Sequence, residues 1–294
     1  MSTPPAARPP RSALLGGFIE SHPRLFVLTG AGCSTESGIP DYRDVDGNWK
    51  RSARPMTLQA FTGDESARRR YWARSLLGWP RIGAARPNEA HHALTRLQWQ
   101  GRIEGLVTQN VDGLHQAAGS REVIDLHGRL DRVRCMGCER LSSRADLQHR
   151  LLQQNPQWTA RLGDGAGELE PARHHPDGDA ELPAAETASF AVPTCPECGG
   201  ILKPDVVFFG ESVPGARVEA AYEHLRRADA MLVVGSSLML YSGYRFARFA
   251  AELGKPIAAI NLGRTRADEL LTLKVVRACS AALAFVVESP QRAA

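Results

Sequence analysis

The chain has 294 residues, 43% hydrophobic and 23% charged, with 36 basic and 32 acidic side chains giving a net charge of +4. That length supports one large domain, or one large and one small, with a substantial core. The charge excess is too small to argue for nucleic acid, and the basic run Arg68-Arg69-Arg70 lacks interleaved aromatics. No stretch is long and apolar enough to span a membrane, and the Pro/Ala/Arg-rich start is read as a loose tail over residues 1–12 rather than a secretory leader. The expected location is therefore the cytoplasm, where the six cysteines are thiols or metal ligands.

Leu25-Phe26-Val27-Leu28-Thr29 reads as a short buried strand running into Gly30-Ala31-Gly32 and then a polar helix start at Ser34. Strand, glycine turn and helix start form a phosphate-binding layout, in which glycines let backbone N–H groups approach a pyrophosphate. The full G-x-G-x-x-G spacing is absent, so this turn alone leaves a nucleotide site and a tight structural turn about equally open. Residues 50–100 read as largely helical, interrupted at Pro80 and Pro87, with one helix over Asn88 to Gln98. Leu106-Val107-Thr108, Ala230 to Val234 and Ile257 to Ile260 are further apolar runs. They end in Gln109-Asn110-Val111-Asp112, in Gly235-Ser236-Ser237 and in Asn261-Leu262-Gly263. Continuous apolar runs capped by small polar residues are what parallel strands look like when helices cover both faces, and ligands of such sheets sit at those caps. Arg217 to Arg227 and Tyr241 to Leu253 have helical periodicity.

Cys135/Cys138 and Cys195/Cys198 are two Cys-x-x-Cys knuckles, enough to complete one tetrahedral zinc site without histidine. With every position taken by thiolate the metal is structural. The long separation, residues 139–194, is unlike a simple zinc ribbon, and an iron–sulfur cluster is the minor alternative. Residues 160–192, rich in Gly, Pro and acidic side chains, read as a long loop in which His174-His175 is solvated. Cys33 and Cys279 are left over; Cys33 reads as a small buried filler rather than a nucleophile.

Assembled in order, these segments resemble the sirtuin family. Gly30 to Arg43 resembles its first signature, Thr108 to His115 the second, Leu126-His127-Gly128 the third, and Ile201 to Glu211 the substrate-side segment after the second knuckle. Asp41-Tyr42-Arg43, where many members have Phe before Arg, and Pro176-Asp177-Gly178-Asp179 look like the second class of the family. The resemblance implies an α/β fold: a Rossmann-like NAD-binding domain of parallel strands over residues 13–127 and 212–290, with a helical insertion near 50–100. It also implies a smaller zinc-binding module over 128–211 with its long loop.

The implied activity is an NAD-dependent protein-lysine deacylase, which moves the acyl group to ADP-ribose and releases nicotinamide and free lysine. Its partners are acylated-lysine proteins or peptides, with no nucleic acid and no membrane; the oligomeric state stays open, a monomer among the options. Protein ADP-ribosylation from the same site is the alternative, and a non-catalytic NAD-binding protein is the weaker third. His127 is expected as general base, since an imidazole near neutral pKa exchanges protons efficiently. Asn110 and Asp112 are expected at the nicotinamide end, with Gln109 on the ribose. Gly30, Ala31, Gly32, Gly235, Ser236 and Ser237 are expected around the pyrophosphate. Asn261, Leu262, Gly263, Glu36 and Cys279 complete the cofactor set, with Tyr42 and Arg43 on a closing loop. Substrate contacts are expected from Val207, Phe208, Gly210 and Glu211, and from a loop around Ser242, Gly243 and Tyr244, with the peptide added as a strand.

Overall fold

A computed structural model describes residues 11–50, 55–158 and 187–288. The expected loop features at His174-His175 and at Pro176 to Asp179 lie outside the described residues.

Six parallel strands form the main sheet: β1 (Leu25–Thr29), β2 (Ile103–Thr108), β3 (Val123–Asp125), β7 (Ala230–Val234), β8 (Ile257–Ile260) and β9 (Leu273–Val275). Their order is β3-β2-β1-β7-β8-β9. Every residue of β1, β7 and β8 is buried, which is why these strands read as unbroken apolar runs rather than alternating ones. One face is covered by α1 (Arg11–Ser21), α4 (Glu89–Trp99) and α9 (Cys279–Glu288), which share a core with Val27, Leu106 and Leu232. The other carries α7 (Gly215–Arg227) and α8 (Tyr241–Glu252), whose Leu225, Phe246 and Ala250 pack on Phe26, Leu28 and Val233. The strand order reverses between β1 and β7, so a crevice opens beyond their carboxyl ends, where doubly wound folds bind dinucleotides.

A second, antiparallel sheet of order β5-β4-β6 is built from β4 (Gly128–Cys135), β5 (Leu141–Ser143) and β6 (Leu202–Val206). It shares a core with α2 (Leu58–Gly63), α3 (Glu65–Ala84) and α6 (Arg144–Gln154) through Phe61, Trp72, Val133, Leu147 and Leu202. A Rossmann-like NAD-binding fold with a smaller cysteine-bearing module is thus the architecture, as the sequence implied.

Two local expectations need correction. Pro80 does not interrupt a helix but lies within the 20-residue α3. Proline lacks the N–H that would bond the carbonyl four residues earlier. Here the Leu76 carbonyl instead accepts from Gln148 Nε2 of α6 at 2.9 Å, so tertiary packing repairs the ladder. Pro87 does fall in the break between α3 and α4. The polar segment after Gly32 is not a helix either, but two single 3-10 turns, Ala31–Cys33 and Thr35–Ser37, leading into an irregular segment over residues 38–50.

Candidate active site

The crevice is a cavity of about 650 Å³, within the usual size for a ligand pocket. Its walls bring together Gly30, Ala31, Gly32, Tyr42, Arg43, Gln109, Asn110, Asp112, His127, Gly235, Ser236 and Ser237 with Asn261, Leu262, Gly263 and Cys279. Val207, Phe208, Gly210 and Glu211 line the same space.

The glycine turn is packed backbone on backbone. Gly30 N–H donates to Val234 O at 3.0 Å, Gly32 N–H to Gly235 O at 2.8 Å, and Gly235 N–H to Ile260 O at 2.8 Å. A Cβ on Gly30 would lie 2.7 Å from Ser236 Cβ, and one on Gly32 2.9 Å from Gly235 O. Gly235 has φ +64°, and a Cβ there would overlap the Cys33 backbone N and lie 2.5 Å from Gly32 C. The glycines therefore hold the ends of β1, β7 and β8 together, and their N–H groups are engaged within the protein rather than held ready for a pyrophosphate. Beside them Leu238 adopts φ +56°, an uncommon conformation for a branched side chain, with its N–H held by Ser236 Oγ at 3.2 Å.

The cavity floor is a directed chain of hydrogen bonds. Asn110 Nδ2 donates to Gly30 O and to Ser34 Oγ, both at 3.0 Å, and Ser34 Oγ donates to Asp112 Oδ2 at 2.7 Å. The other Asp112 oxygen accepts from Leu114 N at 2.9 Å. Burial nevertheless pushes the Asp112 carboxyl above its ordinary value, the bonds from Leu114 and Ser34 offsetting part of that. Gln109 Oε1 accepts from Ser236 Oγ at 2.6 Å, tying the β2 end to the β7 end.

His127 sits between β3 and β4, where the two sheets meet. Its Nδ1 lies 2.9 Å from Gln109 O, an acceptor only, so Nδ1 carries the proton and Nε2 presents its lone pair. Ser242 Oγ, 2.9 Å from Nε2, then donates to that lone pair. Burial lowers the imidazole pKa, with the Gln109 carbonyl opposing, which favours the neutral ring that a base requires. Val207 N–H donates to His127 O at 2.8 Å, which seats the substrate-side segment against the histidine.

Over the opening lies the segment from Asp41 to Lys50. Arg43 donates to Gly47 O at 2.7 Å and stacks 4.4 Å over the Trp49 ring, whose edge meets Tyr42 at 5.8 Å. Val45 O accepts from Arg264 N at 2.7 Å, so this segment is latched to the β8 end. Trp49 and Phe209, half-exposed, form the outer rim with ring centroids 6.0 Å apart. Phe208 is buried against Phe61 and Tyr71, and is the packing member of the Phe208-Phe209 pair.

Three expected site residues are not at the cavity. Glu36 turns outward and accepts the Ser280 N–H of α9 at 3.1 Å. Gly243 and Tyr244 lie in α8, not in a loop. Gly243 presses on the Gln109 amide, where a Cβ would come 2.6 Å from Nε2, and Tyr244 faces the Arg266 guanidinium at 4.3 Å. The strand-like segment at Phe209 is already paired on one side, its carbonyl accepting from Leu58 N at 3.0 Å. Ser34, expected only at a helix start, and Ser242, expected on the peptide-side loop, instead bond Asp112 and His127, because a serine's spacing in the sequence does not show its hydroxyl's partner.

The four knuckle cysteines converge, their Sγ atoms all within 4.8 Å of one another. Cys135 and Cys198 are 3.4 Å apart and Cys138 and Cys195 3.8 Å, close to the edges of a tetrahedron with metal–sulfur bonds of about 2.3 Å. Gly137 and Cys138 donate their N–H groups to Cys135 Sγ, which pull this thiol down to about 6 and favour the thiolate a metal binds. A side chain at Gly200 would crowd Cys135 Sγ at 3.0 Å. Donor set and spacing fit one structural zinc ion. Cys33 and Cys279 are buried, with Cys33 raised well above the ordinary thiol value and Cys279 raised to about 12 by burial, so neither is a ready thiolate.

Fold and site together define an NAD-binding enzyme with a structural zinc module. The Sir2 family model matches residues 30–242, and the chain belongs to this family. It is 63% identical over 276 residues to an NAD-dependent protein deacetylase of Xanthomonas axonopodis pv. citri, covering 94% of this chain and 91% of that one. It is 62% identical over 273 residues to a protein of the same description from Bordetella bronchiseptica, covering 93% and 96%. Among solved structures, "Sir2 bound to acetylated peptide" superposes with a TM-score of 0.73 at 28% identity, covering 95% of this chain and 98% of that chain. "Sir2-p53 peptide-NAD+" superposes with a TM-score of 0.70 at 29% identity, covering 94% and 96%.

Proposed function

We propose that this enzyme is an NAD-dependent protein-lysine deacylase that acts on acylated lysines of proteins or peptides, consistent with relatives described as deacetylases and with Sir2 structures bound to acetylated and propionylated peptides. The observation that carries the reading is His127, with Nδ1 held 2.9 Å from the Gln109 carbonyl and Nε2 facing Ser242, in the same cavity as the Asn110–Ser34–Asp112 chain. NAD, when bound, supplies an electrophilic ribose carbon with nicotinamide as leaving group. With NAD in place, His127 Nε2 would accept a proton from a ribose hydroxyl, at the lone pair now bonded by Ser242 Oγ. Asn110 and Asp112 would hold the nicotinamide end of NAD, Gln109 the ribose, and Asn261 to Gly263 the adenosine end. Tyr42 and Arg43 shield the reacting sugar from water. Val207 and Phe208 wall the apolar path for the lysine stem, and Gly210 and Glu211 flank the peptide.

Asp41-Tyr42-Arg43 supports placing the chain in the second class of the family, and residues 128–211 are its zinc module, inserted between 13–127 and 212–290 of the NAD-binding domain. Among the described residues no helix is long and apolar enough to cross a membrane; the free cysteines favour a reducing compartment, which supports a cytoplasmic location.

The test is release of nicotinamide and O-acyl-ADP-ribose from a panel of acetyl, long-chain, lipoyl and branched dicarboxyl lysine peptides, with His127→Ala as control. Turnover of at least one peptide, abolished in the variant, is expected. Silence across the panel, or full deacylation by His127→Ala, overturns the reading; label transfer to protein without acyl-lysine favours ADP-ribosylation.

A further inference from the structure

Beneath the glycine turn, Cys33, His91 and His115 bring a thiol and two imidazoles within 4.8 Å of one another, all fully buried or nearly so. Distance alone suggests a second metal, and His115 Nδ1 has no protein partner, but the hydrogen bond to His91 argues otherwise. Asn88 N–H donates to His91 Nδ1 at 3.3 Å, so the proton of neutral His91 is on Nε2, the ring atom without a protein partner. A ligating histidine needs the reverse, its far nitrogen donating outward. Burial lowers His91 to about 4 and His115 to about 3, so both rings are neutral at ordinary pH.

What the cluster does hold is the seam between β1 and β2. Thr29 and Thr108 are partners at the carboxyl ends of these strands. Thr29 Oγ1 donates to Thr108 Oγ1 at 2.8 Å, so its remaining bond, 2.8 Å to His115 Nε2, is accepted from the imidazole N–H. Thr108 Oγ1 in turn accepts the Asn110 N–H at 3.1 Å. Asn110 is thus gripped at both ends, its amide nitrogen by Gly30 and Ser34 and its backbone by this buried relay. We propose that His115 is a positioning residue for Asn110, acting through Thr29 and Thr108, and that His91 fixes the ring beside it rather than binding metal. The His91 and His115 rings lie 4.8 Å apart and tilted by 58°, and His91 completes the capping box of α4, so one ring of the pair is fixed to a helix terminus.

The kinetic part of the test rests on the deacylase reading; amide exchange does not. The zinc-loaded full chain is compared as His115→Phe, His115→Gln, Thr108→Val and Thr95→Val. The last is a matched control that removes the equally buried Thr95–Ser120 hydroxyl bond of 2.7 Å, away from the cavity. His115→Phe and Thr108→Val are expected to lower kcat about tenfold, the rate equivalent of one hydrogen bond, with peptide KM within about twofold. Both should speed amide exchange over residues 108–113. His115→Gln, which still offers an N–H to Thr29, restores both readouts, and Thr95→Val leaves both unchanged. Should His115→Phe fail to fold, Thr108→Val carries the test. The proposal is overturned if folded Thr108→Val matches the unaltered chain in exchange and kcat, or if Thr95→Val loses as much. It also fails if Gln does not restore what Phe removes, or if the chain binds a second metal ion that His115→Phe releases. An unaltered chain that turns over no acyl-peptide fails the deacylase reading, while amide exchange still decides this one.

Discussion

Two glycines separate the conformational from the steric demand at the cofactor crevice. Gly38 and Gly235 both have left-handed φ, +81° and +64°, but a Cβ at Gly38 meets nothing within 4 Å, whereas one at Gly235 runs into the Cys33 and Gly32 backbone. Alanine at Gly38 should cost only the left-handed conformation, roughly 1 to 2 kcal/mol. Alanine at Gly235 adds overpacking against backbone, which cannot rotate away as a flexible side chain can, for a total of roughly 2 to 5 kcal/mol. The displacement also falls on the Gly32 N–H to Gly235 O and Gly235 N–H to Ile260 O bonds, which set the spacing of the β1, β7 and β8 ends. NAD affinity should therefore fall at least about tenfold in Gly235→Ala and stay within about twofold in Gly38→Ala. Urea unfolding reports the stabilities and titration calorimetry the affinities. Equal destabilisation by the two substitutions, with NAD binding intact in both, would refute the claim that backbone interlock shapes this crevice.

Replacing Cys138 by serine should take zinc from about one ion per chain to a small fraction of that and destabilise the chain by several kcal/mol; elemental analysis of the purified variant checks it, and retained stoichiometric zinc would refute the four-cysteine site. Acid stability should depend on the buried histidine pair. His91 and His115 protonate near 6.5 when unfolded but only near about 4 and about 3 when folded. The unfolded chain thus binds the extra protons, and stability present in full above pH 6.5 is lost as pH falls from there towards 4 and then 3. The slope is about 1.4 kcal/mol per pH unit for each ring. Comparing urea midpoints at pH 7 and pH 5 should show a shallower loss in His115→Gln than in the unaltered chain, and parallel losses would contradict it.

The strand ends were legible because a strand buried on both faces has no choice but to be apolar along its length, and its first polar residue then marks the crevice. Gln109, Asn110, Asp112, Gly235 and Asn261 were all reached that way, and all line the cavity. Features decided by tertiary partners were not legible. Pro80 reads as a helix break until Gln148, from another helix, takes up the Leu76 carbonyl. Glu36 reads as part of the glycine-turn motif, yet its carboxylate is claimed by Ser280 at the start of α9. Ser34 and Ser242 matter only through the partners that the fold brings to their hydroxyls. His115 closes the second motif, but the motif does not show its role, since its bond to Thr29 joins positions 86 residues apart.

The zinc knuckles and His127 occupy opposite ends of one pair of strands. β4 begins directly after His127 and ends in Cys135, while β6 follows the second knuckle and leads into Val207. Their register pairs Cys135 with Leu202 at the metal end and Gly128 with Val206 at the catalytic end, where Gly128, at φ +83°, passes so close to the Asp205 carbonyl that no side chain would fit. The register is broken between Gly128 and Val133, so the ladder runs only four residues along β6, roughly 13 Å at about 3.3 Å per residue, still beyond the screening length of about 8 Å at physiological salt. The coupling that remains is mechanical. The metal fixes where β4 ends and β6 starts, and the ladder carries that register to the Val207 N–H bond on His127 O. Zinc loss should therefore reach catalysis through misplacement of His127 relative to Gln109 and Ser242, while leaving the Rossmann-like crevice, built from other strands, able to bind NAD.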